Sequence, residues 1–264
     1  MSYRFYYEFH GDRHQPVVLF LHGFMGDQRD FVPIMNALFD RFYSLAVDLP
    51  GHGKTIVTGD DAQYGMAFTA AALVDWLDQL QISRCGLVGY SMGGRLALYL
   101  ALHFPHRFPR VVLESASPGL KTDRERQTRL QRDHALADQL EADFPSFLNH
   151  WYQQPLFASL RQHPDFAQML ERRSQNHPPG LAKSLRYLST GQQPSLWHLL
   201  EQHRQPLLLL VGENDHKFCM INQEMAACCP TMRLTIVSHC GHVIHFEQPD
   251  KLIEPIATFF SEAG

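Results

Sequence analysis

Six short apolar runs recur along the chain: VVLFLH (17–22), SLAVDLP (44–50), CGLVGY (85–90), RVVLES (110–115), PLLLLVGE (206–213) and MRLTIVS (232–238). They are continuous rather than alternating, which predicts strands buried on both faces. Between them lie helical patterns. AFTAAALVDWLDQL (67–80) sets Leu73, Leu77 and Leu80 on one face, and MGGRLALYLALHF (92–104) stops before Pro105. Strands separated by helices imply right-handed crossovers and a mostly parallel sheet flanked by helices.

The rhythm breaks between about Pro118 and Arg204. No strand-like run occurs there, and the composition shifts to Arg, Gln, His and aromatics. The expected organisation is an α/β core over residues 1–117, a helical lid over 118–203, and the rest of the core over 204–264.

Composition narrows the function. A net charge of −4 over 264 residues argues against wholesale binding to nucleic acid or a membrane surface. The longest apolar runs are strand-length and too short to span a bilayer. The first residues, MSYRFYYEFHGDR, lack the apolar core of a signal peptide. The five cysteines, Cys85, Cys219, Cys228, Cys229 and Cys240, show no zinc or redox spacing and read as reduced thiols, with no role assigned to the adjacent pair. A cytoplasmic location is expected.

GYSMG (89–93) fits the G-x-S-x-G nucleophile elbow. Its setting matters more than its letters. A buried strand runs straight into Ser91 and a helix starts at Met92, so a tight turn lifts the hydroxyl above the sheet. The triad order then requires an acid followed by a histidine. Asp215 lies just past the strand PLLLLVGE, at the functional rim of a parallel sheet. His242 lies in the loop HCGHVIHFEQP, before a helix beginning near Pro249. Glu213 is the alternative acid, less free because it is still in its strand. His239, Cys240 and His245 suggest a metal cluster, but nothing else in the chain completes one. The oxyanion donors expected are the backbone N–H groups of Met92 and, in HGFMGD (22–27), Phe24. His22 has the expected role of orienting that loop. DLPGHGKT (48–55) lacks the first glycine of a phosphate loop and marks a turn.

Arg95 stands one helical turn beyond Ser91, on the same face. A neutral ester gives no reason for a cation there, whereas a substrate carboxylate, or a salt bridge to a surface acid, does. Lys121, Arg124, Arg126, Arg129 and Arg132 follow in the first part of the lid, only partly matched by Asp123, Glu125 and Asp133, and Arg172-Arg173 comes later. Arginines from two lid helices, with Arg95, suit a substrate bearing several carboxylates.

GYSMGGR, SPGL before an arginine-rich helix, DFPSFLNHWYQQPLFASL, ERRSQN, YLSTGQQPSLW and GENDHKF together resemble one branch of the α/β hydrolases. That branch is the 2-succinyl-6-hydroxy-2,4-cyclohexadiene-1-carboxylate synthase family of menaquinone and phylloquinone biosynthesis. The resemblance runs over nearly the whole chain, and WYQQPLF and STGQQPSLW are its most specific parts. It implies an α/β-hydrolase fold and a lyase that eliminates pyruvate from 2-succinyl-5-enolpyruvyl-6-hydroxy-3-cyclohexene-1-carboxylate without a cofactor. Ser91, activated by His242 and Asp215, would be the general base. The family's carboxylate-binding arginines fall on Arg95, Arg129 and Arg173, with Arg126 as an alternative to Arg129, and its lid tryptophan falls on Trp151. Tyr90 precedes the serine. The ligand is then a small polycarboxylate, with a monomer favoured over an oligomer. The competing readings are a serine hydrolase of an anionic substrate, either a carboxylesterase or a carbon–carbon bond hydrolase, and a non-catalytic binding protein of the same fold. A binding protein would have no need of all three triad members.

Overall fold

The computed structural model describes residues 2–262. Among the described residues the strands are β1 (Tyr3–Arg4), β2 (Tyr7–His10), β3 (Val17–Leu21), β4 (Tyr43–Val47), β5 (Ile56–Val57), β6 (Gly86–Tyr90), β7 (Val111–Glu114), β8 (Leu207–Gly212) and β9 (Met232–Val237). Seven of them form one sheet in the order β2-β4-β3-β6-β7-β8-β9, and β1 and β5 form a separate small ladder. Every pair from β4 to β9 is parallel. Only β2 runs antiparallel, against β4 at the edge. All six apolar runs became strands of this sheet, but β9 lies at its other edge and leaves Arg233 and Ile236 exposed, so it is not buried on both faces as expected. The edge strand β2 was not foreseen, because YEFH is short and mixed in polarity and needs only one buried face.

The helices are α1 (Val32–Ala37), α2 (Met66–Gln79), α3 (Ser91–His103), α4 (Asp123–Ala142), α5 (Phe144–Tyr152), α6 (Phe166–Ser174), α7 (Pro178–Tyr187), α8 (Trp197–Leu200), α9 (His216–Cys228), α10 (Ile244–Glu247) and α11 (Asp250–Ser261). Successive strand residues alternate between two cores. Leu19, Leu87, Leu113 and Leu209 pack with α2, α3 and α9. Phe20, Val88, Val112 and Leu210 pack with α1 and α11. The continuous apolar strand pattern therefore follows from two covered faces.

Between β7 and β8 the described chain is helical, with four helices of nine residues or more. Thr122 and Glu125 start α4 with a reciprocal capping box. Asp143 caps α5, and Pro145 sits in its first turn, where a missing N–H costs nothing. This insertion lies over the carboxyl ends of the strands, so that its inner face and the strand tips bound a shared cavity. Among the described residues no helix is long and apolar enough to cross a membrane, and all five cysteines are free thiols.

Candidate active site

β6 delivers the chain to Ser91, which has a φ of +49° and opens α3 directly. A left-handed conformation at a non-glycine residue is strained and persists only where the surroundings enforce it. Here they do, because α3 packs against the end of β3. A side chain at Gly93 would lie 2.2 Å from the carbonyl of Leu21, so only glycine permits the approach.

Ser91 Oγ lies 3.0 Å from His242 Nε2, and His242 Nδ1 lies 2.6 Å from Asp215 Oδ2. A carboxylate on Nδ1 fixes the proton there and leaves Nε2 to accept from the serine hydroxyl. Asp215 and His242 are buried, whereas Ser91 is half-buried and borders the cavity. Asp215 caps α9 by accepting the Phe218 N–H.

The loop bearing His242 is held by a group the sequence reading missed. The buried carboxylate of Glu247 accepts the N–H of Gly241 at 2.9 Å and of Val243 at 3.3 Å, the two residues flanking the histidine. Gly212 lets this loop cross the tip of β8, since a Cβ there would sit 2.0 Å from the Gly241 carbonyl. The local signal was an acid five residues beyond His242, at a short helix.

Glu213 lies one residue past β8 rather than within it. It is exposed, and its carboxylate accepts the His239 N–H. His245 pairs with buried Glu114, Nδ1 to Oε1 at 2.9 Å. Among the described residues no group of three His, Cys, Asp or Glu could hold a metal ion.

Met92 is the second residue of α3, so its N–H has no intrahelical acceptor. The Phe24 N–H shares a peptide plane with the Gly23 carbonyl. That carbonyl is fixed from two sides, by the Gly26 N–H at 3.0 Å and by His22 Nδ1 at 2.7 Å. His22 Nε2 accepts the Leu49 N–H, which assigns the ring proton to Nδ1. The Phe24 N–H consequently points the opposite way, free of any backbone partner among the described residues.

The cavity has a volume of about 240 Å³, and its lining includes Ser91, His242, Phe24 and Met92. Tyr90 and Trp151 also line it. Tyr90 is buried against the rings of His245 and His242, at centroid distances of 4.6 and 5.4 Å. Trp151 packs on Phe24 at 5.1 Å and Phe147 at 5.6 Å.

The cationic lining is more distinctive. Arg95 donates to Gln193 Oε1 and to the Leu188 carbonyl, both at 2.8 Å and both neutral acceptors. Burial, and then the nearby Arg129, push its pKa down to about 9, with Asp133 opposing them. Arg129 Nε donates to the buried Asp133, whose other oxygen accepts from Ser189. Arg173 donates through Nη2 to both oxygens of Asp30 at 2.8 Å, and Arg172 donates to one of them at 2.6 Å. Burial opposes charge on Arg173, but Asp30, Tyr152 and Asp27 together outweigh it and raise the pKa. Nε and Nη1 of Arg173 are buried without a partner.

Arg95, Arg129 and Arg173 all line the cavity. Arg126 does not; it pairs with Asp123 on its own helix. Arg132 and Lys217 join at the exposed rim. Gln193 and Asp30 were not foreseen, whereas the Arg129–Asp133 pair is the i,i+4 match the sequence offered. Asp30 and Arg173 are 143 residues apart, and no local pattern links them.

Comparison with known proteins agrees with this fold. The model of the α/β hydrolase fold family matches residues 16–249. A Bacillus subtilis (strain 168) protein with the provisional name 2-succinyl-6-hydroxy-2,4-cyclohexadiene-1-carboxylate synthase is 39% identical over 242 residues, 90% of this chain and 88% of that protein. The synthase of the same name from Yersinia pseudotuberculosis is 32% identical over 257 residues, 96% of this chain and 91% of that one. Among solved structures, S. aureus MenH superimposes with a TM-score of 0.90 at 34% identity, covering 98% of this chain and 97% of its own.

Proposed function

The chain belongs to the 2-succinyl-6-hydroxy-2,4-cyclohexadiene-1-carboxylate synthase family of α/β hydrolases, and from that premise we propose that it eliminates pyruvate from 2-succinyl-5-enolpyruvyl-6-hydroxy-3-cyclohexene-1-carboxylate. The observation that carries the reading is the pairing of an intact triad with a cavity wall rich in arginine. A hydrolase of neutral esters has no use for Arg95, Arg129 and Arg173 in the lining of the cavity that holds its serine. A substrate with carboxylates on its ring, its succinyl arm and its enolpyruvyl group does.

In this reading Ser91 Oγ removes the ring proton at C2, alpha to the succinyl ketone, as its own proton passes to His242 Nε2. Asp215 holds the ring and stabilises its cation. The enolate oxygen is met by the N–H groups of Phe24 and Met92. Electrons then move from C2 through the C3=C4 bond and break the bond from C5 to the enolpyruvyl oxygen. The diene at C2 and C4 forms, and the departing enolate becomes pyruvate on gaining a proton at its methylene carbon. No water is consumed and no redox change occurs.

Arg95 is the carboxylate clamp nearest the reacting centre, and Arg129 and Arg173 hold the other arms. Clamping matters because proton abstraction needs a near-attack geometry. Tyr90 and Trp151 supply apolar walls for the ring, and the inserted helices act as a lid. A small tricarboxylate as ligand and a cytoplasmic setting fit this assignment, with its free thiols.

The test is pyruvate release. The purified chain is mixed with the enolpyruvyl substrate generated in place, and pyruvate and diene absorbance are followed. Equal formation of both above the spontaneous rate supports the lyase. Turnover of p-nitrophenyl esters without pyruvate release would replace it with a hydrolase.

A further inference from the structure

ERRSQN (171–176) contains more than the arginine used above. Asn176 follows the end of α6, and its Nδ2 donates to the Arg173 carbonyl and to the Met25 carbonyl, both at 3.0 Å. The second bond crosses from the lid to the loop HGFMGD, 151 residues away.

The peptide it reaches matters. The Met25 carbonyl and the Gly26 N–H belong to one peptide group. That N–H donates to the Gly23 carbonyl at 3.0 Å, and the Gly23 carbonyl shares its own peptide group with the Phe24 N–H. A relay of two peptides therefore runs from the Asn176 amide to the Phe24 N–H. Each bond in it orients and polarises the next. Met25 has a φ of +63°, a strained conformation that reverts without outside support. His22 braces the Gly23 carbonyl but not the Met25 peptide.

α6 itself grips the turn that follows this loop, because Arg172 and Arg173 both bind Asp30, six residues beyond Phe24. Two anchors, from α6 and from the residue just past it, thus flank the stretch that presents the Phe24 N–H.

We propose that Asn176 is a positioning residue for the oxyanion hole, and that through it α6 couples carboxylate capture at Arg173 to stabilisation of the enolate. This rests on the reading of Phe24 as an oxyanion donor. Asn176 is not part of the cavity lining. It acts on the intermediate through the loop and leaves ground-state binding to the arginines.

The experiment compares wild type with Asn176→Ala and with the isosteric Asn176→Asp, which keeps the shape but loses the donor. Three quantities are read in variants whose melting shows a folded chain: kcat and KM for pyruvate release, inhibition by phenylboronate, and affinity for benzene-1,2,4-tricarboxylate. Phenylboronate forms a tetrahedral adduct on Ser91 with an oxygen in the hole, whereas the tricarboxylate tests only the arginines. The expected result is a kcat about 10-fold to 100-fold lower with KM within about twofold. Boronate inhibition weakens by a similar factor and tricarboxylate affinity holds.

Unchanged kcat in both folded variants, or parallel loss of boronate and tricarboxylate affinity, overturns the proposal. Failure of the wild type to release pyruvate would sink the lyase assignment alone, because the boronate comparison still judges the relay. Failure of the wild type to bind boronate would remove the oxyanion hole and the relay together.

Discussion

The two walls of the cavity are built differently. On the sheet side, Ser91, Asp215 and His242 stand at or just beyond strand ends, each held by contacts within a few residues of chain. On the helical side, Arg129 and Arg173 are held by side-chain pairs, and Arg173 by one 143 residues distant in sequence. The first wall is suited to moving one proton along a fixed line. The second suits recognition, because it presents charge whose partners leave donors unused. Buried Arg173 with two free nitrogens and Arg95 with only neutral acceptors would be costly in a resting protein. An anionic ligand offsets that cost.

Arg95 breaks the division most severely, since it belongs to the sheet-side helix α3 and binds lid residues. Arg95→Ala is expected to lower kcat/KM by about 100-fold or more, with melting little changed. Near-normal kinetics would mean the clamp lies elsewhere.

Glu247 tests the sheet wall alone. Glu247→Gln places an amide against the N–H groups of Gly241 and Val243. We expect kcat to fall about 10-fold or more with KM nearly unchanged. A rise in KM instead would show that the His242 loop shapes binding.

A third prediction concerns pH and the bracing beneath Phe24. His52 packs on Phe24 and His22, and burial, then His22, push its pKa down to about 3. The folded state thus favours the neutral ring. Its contribution is fully present above the unfolded value of 6.5 and is lost as pH falls towards 3, on the order of 5 kcal/mol. His52→Phe should flatten the fall in melting temperature across that window. Asp30, held below the usual carboxylate range by Arg173 and Arg172 against the effect of burial, loses its own contribution at lower pH. An unchanged melting profile in His52→Phe would remove His52 from this account.

The smallest effect sharpens the helical wall. Arg126→Ala removes a cation paired with Asp123 on the surface of α4 and should change kcat/KM by less than about twofold. Arg129→Ala, one turn along the helix, should cost about 10-fold or more. Equal losses would erase the distinction between them.

The same contrast explains what the sequence could reveal. The five inner strands and the elbow were legible because burial on both faces and a strand–serine–helix junction leave local patterns, and the edge strand β9, though partly exposed, was legible from its run of β-formers MRLTIV. Asp215 and His242 could be read from their places after successive strands. The β2 edge was hidden because one-sided burial needs little hydrophobicity. Gln193 under Arg95, Asp30 under Arg173 and Asn176 behind Phe24 were hidden for another reason. Each is an ordinary polar residue whose partner lies 98 or more residues away and becomes a neighbour only through the fold.

The central claim is that Ser91 moves a proton and forms no covalent bond to substrate. Intact mass of the enzyme, quenched during steady turnover of the enolpyruvyl substrate, tests it most directly. The account predicts an unmodified chain at every time point while pyruvate accumulates, and no accumulation with Ser91→Ala. A Ser91 adduct that rises and decays with turnover would contradict it and restore nucleophilic catalysis to this triad.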